Sequence, residues 1–231
     1  MKRILPGLYT LTNLTLGRAY LIEDPDGLTL IDVSMPASAP KILRQIEGMG
    51  RKPTDVKRIL ITHAHFDHHG NLPLLKQATR AQIFASALEK PTIEGKQSVP
   101  RPDPAQLTGI WKTIRIPESS LPPVAVDRVV EDGDVIETFG GLQAVFTPGH
   151  APGHMAYWQA EKRVLFCGDV IMRMTGLTLP FAMATVDMHQ NKKSVQRLAQ
   201  LNPEIVCFGH GNPLTQNTTQ TLRTFAQKHL P

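Results

Sequence analysis

No stretch of this 231-residue chain is apolar for anything near the roughly 18 residues that a membrane-spanning helix needs, so a bilayer-embedded protein is not expected. Cysteine is almost missing. Cys167 and Cys207 are the two, each in an apolar, strand-like run, and the expectation for both is a buried reduced thiol, neither disulfide-bonded nor metal-ligating. Charge of one sign is nowhere concentrated: 25 Lys and Arg stand against 20 Asp and Glu, a net +5. That balance mildly favours anionic partners, but without a dense basic run a nucleic-acid partner is not expected. An export leader is not expected either. Met1-Lys2-Arg3-Ile4-Leu5 opens like one, but Pro6, Gly7, Tyr9 and Thr12-Asn13 interrupt the apolar region and no small-residue cleavage site follows. The segment reads as a first strand, and the protein as cytoplasmic.

What is present suffices for one sizeable core: 41% of the residues are hydrophobic, and a single domain over 1–231 is expected. Strands are read at 7–12, 18–23, 28–33, 56–62 and 82–85, with a hairpin turn at Asp26-Gly27. Helices are read at 37–49 and 71–78. A second block of strands covers 126–130, 135–139, 142–147, 155–159, 164–167 and 205–208, with helices at 194–201 and 218–228. No short-period repeat is visible, though the order of strands and helices hints at two similar halves. Two strand blocks with helices between them predict an α/β (α+β) fold of two sheets covered by helices, a four-layer αββα sandwich. The proline-rich segment 91–123, which carries Trp111, lacks periodicity and is read as an insertion: a lid over a cleft or an oligomer contact.

The chemistry concentrates after strands. Thr62-His63-Ala64-His65-Phe66-Asp67-His68 follows an apolar run directly. Side chains two apart on an extended chain point the same way, so His63 and His65 can share one ion, while Asp67 and His68 turn the corner toward another. Clustered imidazoles and a carboxylate bury little area and would repel when protonated, but as neutral His and ionised Asp they are the donors that zinc accepts. Thr147-Pro148-Gly149-His150, Cys167-Gly168-Asp169 and Phe208-Gly209-His210-Gly211 repeat one design: an apolar strand, a glycine, then a potential ligand in the following loop. A closed structural zinc site would need four protein ligands and no more, so a hydrolytic centre is favoured over a metal-binding module without activity.

The run His63, His65, Asp67, His68, followed in order by His150, Asp169 and His210, resembles the metallo-β-lactamase superfamily, and the resemblance covers almost the whole chain. It implies the metallo-β-lactamase fold and a binuclear centre. His63, His65 and His150 would hold one metal, Asp67, His68 and His210 the other, and Asp169 would bridge them. Asp32, at the end of the strand 28–33, matches a position that supports the site by hydrogen bonding. His65 stands where the flavodiiron branch has Glu, so the hydrolytic branch is implied. Two divalent ions are expected, zinc first, with iron or manganese acceptable to the same donors. They would share a water that ionises near neutral pH, and the bridging hydroxide would attack an electrophilic centre while Asp67 orients it.

The resemblance narrows the substrate in part. Hydroxyacylglutathione hydrolases carry a helical C-terminal domain, whereas 21 residues follow His210 here. Acyl-homoserine lactonases have a tyrosine three residues after the bridging aspartate, where this chain has Met172. A small thioester or lactone with an apolar acyl part is the expected substrate. A phosphodiesterase or organophosphate-type hydrolase, and a single-iron sulfur dioxygenase, are the alternatives. Met172, Met174, Leu177, Leu179, Phe181 and Met183, broken by Gly176 and Pro180, are expected to form a loop walling the pocket. His154 is balanced between a hydrogen bond to the site and a surface role. His69 is expected to face solvent or bond its own loop, His189 and His229 to do nothing, and Arg101, Arg115 and Arg173 to be solvated or to bind a substrate carboxylate.

Overall fold

A computed structural model describes residues 1–107, 109 and 121–231. Trp111 and Arg115 lie outside the described residues. Strands β1 (Lys2–Leu5), β2 (Leu8–Thr10), β3 (Tyr20–Asp24), β4 (Gly27–Ile31), β5 (Val56–Leu60), β6 (Gln82–Ser86) and β7 (Arg128–Val130) form one sheet in sequential order. The second sheet contains β8 (Val135–Ile136), β9 (Leu142–Phe146), β10 (Met155–Gln159), β11 (Val164–Gly168) and β14 (Ile205–Phe208), in the order β14-β11-β10-β9-β8. Between β11 and β14 lie β12 (Met172–Arg173) and β13 (Leu177–Thr178), a separate hairpin. The helices are α1 (Ala39–Glu47), α2 (Phe66–His69), α3 (Leu72–Thr79), α4 (Lys90–Ile93), α5 (Met188–Gln200) and α6 (Thr218–Lys228).

Strand alternation builds the layers. In β4 and β5, Leu28, Leu30 and Ile59 pack outward against Ile42, Ile46, Leu72 and Leu75 of α1 and α3. Their neighbours Ile31 and Leu60 point inward, where they meet Tyr157, Phe166 and Cys207 of the second sheet. On the outer face of that sheet, Leu165, Cys167 and Phe208 pack against Val195 and Leu198 of α5 and Leu222 of α6. Three apolar layers thus separate helices, sheet, sheet and helices, the four-layer sandwich expected. Ile42 and Ile46, both fully buried, each contribute roughly 1.5–3 kcal/mol by leaving water. Among the described residues no helix is long and apolar enough to cross a membrane.

The structure redraws several local expectations. The β3–β4 turn is centred on Pro25-Asp26, with Asp24 paired to Gly27. The segment after Asp169 contains the β12–β13 hairpin where a loop was expected. Helix α5 begins at Met188 rather than 194. Its first two turns hide their buried face because Asn191 and Ser194 occupy it in place of apolar residues. Asp187 caps the start by accepting from the Gln190 N–H at 2.9 Å.

β4, β5 and β6 run parallel, as do β11 and β14. Their C-terminal ends therefore lie on one side of the sandwich, and every potential ligand leaves the chain there or in the loop after β9.

Candidate metal centre

After β5 the chain passes Thr62, delivers His63 and His65 from extended backbone, then winds into the single turn α2, which carries Asp67 and His68. His150 follows β9, Asp169 follows β11 and His210 follows β14. These seven side chains, drawn from both sheets, converge. His63, His65 and His150 form one group whose donor atoms all lie within 4.8 Å of one another, and Asp67, His68 and His210 form a second within the same limit. His63, His68 and Asp169 form a third that overlaps both. Asp169 lies between: its Oδ2 is 3.5 Å from His150 Nε2 and 3.1 Å from His210 Nε2, and its Oδ1 is 3.5 Å from His68 Nε2.

Hydrogen bonds set which nitrogen of each ring is free. Asp32, buried after β4, accepts from the Thr62 N–H and the Thr62 hydroxyl, each at 2.8 Å, and from His68 Nδ1–H at 2.9 Å. With its proton given to Asp32, the Thr62 oxygen accepts from His63 Nδ1–H at 3.0 Å. The same relay serves His150: Thr185 donates to the Phe181 carbonyl at 2.9 Å and faces His150 Nδ1 at 3.2 Å. His63 Nε2 and His68 Nε2 are thereby turned to the centre without a hydrogen-bond partner, and His150 Nε2 meets His65 Nδ1 there at 3.0 Å. Sequence reasoning missed both threonines, because a hydroxyl beside a ligand in space leaves no pattern in the chain.

The fit to a cation is tested by what lacks a partner. His63 Nε2, His68 Nε2 and Asp169 Oδ1 are buried and have no hydrogen-bond partner. Leaving such an atom unsatisfied costs about 1–3 kcal/mol, and three in one cluster are best explained as ligand atoms. Electrostatics divides the cluster. Burial, reinforced by neighbouring imidazoles, holds His63 and His150 well below the ordinary histidine range and His65 at about 4. These rings are neutral and ready to ligate. For His68 and His210 burial acts the same way, but Asp169 and the other carboxylates outweigh it, leaving His68 well raised and His210 at about 9. Burial would raise Asp67 and Asp169, yet the facing His68 keeps both below the usual carboxylate value. Those protons occupy the place of a cation and would be displaced by one.

Glycines let the backbone approach. A Cβ at Gly209 would overlap Asp169 Oδ1 and lie 2.7 Å from His68 Cε1. Gly168, at φ +50°, leaves room for His154. His154 is fully buried, accepts from the Asp169 N–H at 3.1 Å and faces Thr147 Oγ1 at 2.8 Å, so it supports the site without pointing a lone pair at it. His69 is buried, not solvent-facing, and its Nδ1 lies 2.9 Å from the His65 carbonyl. Both cysteines are free and buried, with thiols pushed up by burial. His189 is exposed, and His229 packs on Phe225.

A cavity of ≈ 710 Å³ opens over the cluster. Phe66, Met172, Met174, Phe181 and Met183 wall it, whereas Leu177 and Leu179, expected to join them, pack on the core beside α5. Residues 95–102 and Leu121 of the proline-rich segment also line it, Arg101 among them. Arg173 is committed elsewhere, donating to the Pro213 carbonyl and to that of Asn212 at 3.1 Å.

The profile of the metallo-beta-lactamase superfamily matches residues 13–210. The chain is 32% identical over 221 residues to the uncharacterized protein YobT of Bacillus subtilis (strain 168), covering 90% of this chain and 88% of that one. It is 29% identical over 227 residues to the probable metallo-hydrolase YflN of the same organism, covering 90% and 85%. A hydroxyacylglutathione hydrolase of Ectopseudomonas mendocina (strain ymp) is 32% identical over 183 residues, but this chain spans 56% of its length. The solved metallo-beta-lactamase family protein TTHA1429 from Thermus thermophilus superposes with a TM-score of 0.74 at 23% identity, covering 98% of this chain and 80% of that one, a likeness of fold.

Proposed function

The chain belongs to the metallo-β-lactamase superfamily and carries the His/Asp cluster of a metallo-hydrolase; from that premise we propose a binuclear hydrolase of small thioesters or lactones with an apolar acyl part. The observation that carries the metal reading is the trio of buried, unpartnered atoms His63 Nε2, His68 Nε2 and Asp169 Oδ1. His63, His65 and His150 would hold one divalent ion, Asp67, His68 and His210 the other, and Asp169 would reach both. Zinc suits this nitrogen and oxygen set best, with iron or manganese accepted by the same donors. Bound ions would supply Lewis acidity and a water that ionises near neutral pH.

The chain's own groups do the rest. Asp67 lines the cavity and is held ionised, so a carboxylate oxygen is available to accept a hydrogen bond from the attacking water and aim it. Asp32 and the two threonines keep the imidazole protons on the nitrogens that face away from the centre. Phe66, Met172, Met174, Phe181 and Met183 offer an adaptable apolar wall for an acyl chain. The cavity volume lies in the range of small-molecule sites, which supports a small-molecule substrate over a nucleic acid. Two free buried cysteines are compatible with a cytoplasmic setting, which is part of this proposal.

The test is elemental analysis of protein purified without added metal, alongside a panel of thioesters, lactones and phosphodiesters and a measurement of oxygen uptake. Two ions per chain with turnover of a thioester or lactone are expected. Preference for the phosphodiester would replace the substrate class, and one iron with oxygen uptake would replace the reaction.

A further inference from the structure

Glu89 is a buried carboxylate that the reaction outlined above does not use. It lies in the turn between β6 and α4, 2% exposed, and among the described residues it has no cationic partner within ion-pair distance. A carboxylate taken out of water and left unpaired is costly, so its hydrogen bonds must compensate. Both go to backbone N–H groups of loops far away in sequence. Oε2 accepts from the Ala64 N–H at 2.8 Å, and Oε1 accepts from the Gly153 N–H at 2.7 Å.

Those two amides have a particular place. Ala64 sits between His63 and His65, and Gly153 closes the turn that begins at His150. One carboxylate therefore joins the two loops that supply the three neutral imidazoles. Ser86, the last residue of β6 before the turn that holds Glu89, strengthens the join by donating to the Gly153 carbonyl at 2.6 Å. The approach is close enough that a Cβ at Gly153 would overlap Ser86 Oγ and come within 2.8 Å of Glu89 Oε1. Among the described residues, the Glu89 carboxylate has no other polar partner that would account for an acid there. Packing alone would be met by an apolar side chain, and a neutral amide of the same shape offers one acceptor where two donors converge.

We infer that Glu89 is a positioning residue that sets the spacing between the His63/His65 loop and the His150 loop, and through it the affinity and geometry of the ion held by those three histidines. The inference rests on the reading that His63, His65 and His150 hold an ion. It requires that the neighbouring group of Asp67, His68 and His210 depend on Glu89 much less, since the carboxylate bonds the loops of the first group and His68 is held directly by Asp32.

The experiment compares wild type, Glu89→Gln and the exposed control Glu161→Gln, each stripped and reloaded with zinc or cobalt. Binding of each ion is measured by competition with a chromophoric chelator, and cobalt absorption reports ligand geometry. In Glu89→Gln one of the two ions is expected to weaken by about ten- to a hundred-fold, with an altered cobalt spectrum for that ion. The second ion and the Glu161→Gln profile should stay as in wild type. Unchanged binding and spectrum of both ions overturn the inference while leaving the binuclear reading intact; equal weakening of both ions overturns it as a selective clamp. A wild type that takes up no ion sinks the metal reading itself and the inference with it. If Glu89→Gln does not fold, Ser86→Ala, which removes the flanking hydrogen bond alone, should show the same selective loss in milder form, and its absence there overturns the inference.

Discussion

His154 Nε2 accepts the backbone N–H of Asp169 at 3.1 Å, so one histidine four residues after a potential ligand is spent on orienting another. The pair His150 and His154 is thereby split into two roles by tertiary structure alone. His150 turns its Nε2 toward Asp169 and His65, whereas His154 uses its own Nε2 on the Asp169 main chain.

Replacing the two histidines should separate these roles. His150→Ala is expected to lose one ion and activity by about a hundred-fold or more, and His154→Ala by about tenfold, since it disturbs a ligand without removing one. Metal stoichiometry and kcat of both variants check this. Equal losses would mean that the assignments of the two rings are wrong.

Asp169 faces both halves of the cluster. Asp169→Ala should reduce the bound metal from two ions to one and abolish most turnover, while the four-layer core, which does not use this carboxylate, keeps its circular dichroism. A variant retaining full metal content and rate would falsify the bridging assignment.

In the metal-free protein, burial first of all holds His65 at about 4 and His154 at about 3, below the 6.5 of an unfolded histidine. The unfolded chain binds protons in that window that the folded chain refuses. The stability tied to these neutral rings is complete above pH 6.5 and is lost as pH falls toward 4 and then 3, at up to about 1.4 kcal/mol per pH unit for each ring. His210 acts in the opposite sense. Burial opposes its charge but Asp169 prevails, giving about 9, so its contribution is full below pH 6.5 and lost as pH rises through 9. Denaturant unfolding of the metal-free protein at stepped pH should therefore show a fall on the acid side that shrinks in His154→Gln. A flat acid limb in the wild type would contradict it.

Met174 and Phe181 are 59% and 52% exposed at the mouth of the cavity. Truncating either to Ala should raise KM for an acyl substrate by about five-fold with kcat nearly unchanged, because the contact is the same before and during reaction. A series of acyl chain lengths reads this directly. Indifference to chain length in the wild type would remove the apolar wall from the substrate proposal.

Much of the site was legible because ligand chemistry is written locally. The run from His63 to His68 places four donors on one strand end and one helical turn, and the glycines beside His150, Asp169 and His210 mark loops that must pass close to something. The four layers were legible because the strands fall in two blocks with helices between them, and each block becomes one sheet covered by its helices. The start of α5 was not legible, since polar Asn191 and Ser194 are buried there. They bond the Val170 and Pro148 carbonyls beside Asp169 and His150, and a hydrophobic pattern cannot announce that.

By itself the sequence determined which donors exist, their order, and the strand ends that present them, because strand periodicity and turn chemistry act over a few residues. Only the tertiary structure decided which ring nitrogens face the centre, that Thr62 and Thr185 relay the protons, that His154 serves Asp169, and that Glu89 ties Ala64 to Gly153. The single hydrogen bonds behind those relations join residues up to 64 positions apart through backbone amides and hydroxyls. Every stretch of chain carries such groups, so only folding selects the ones that meet.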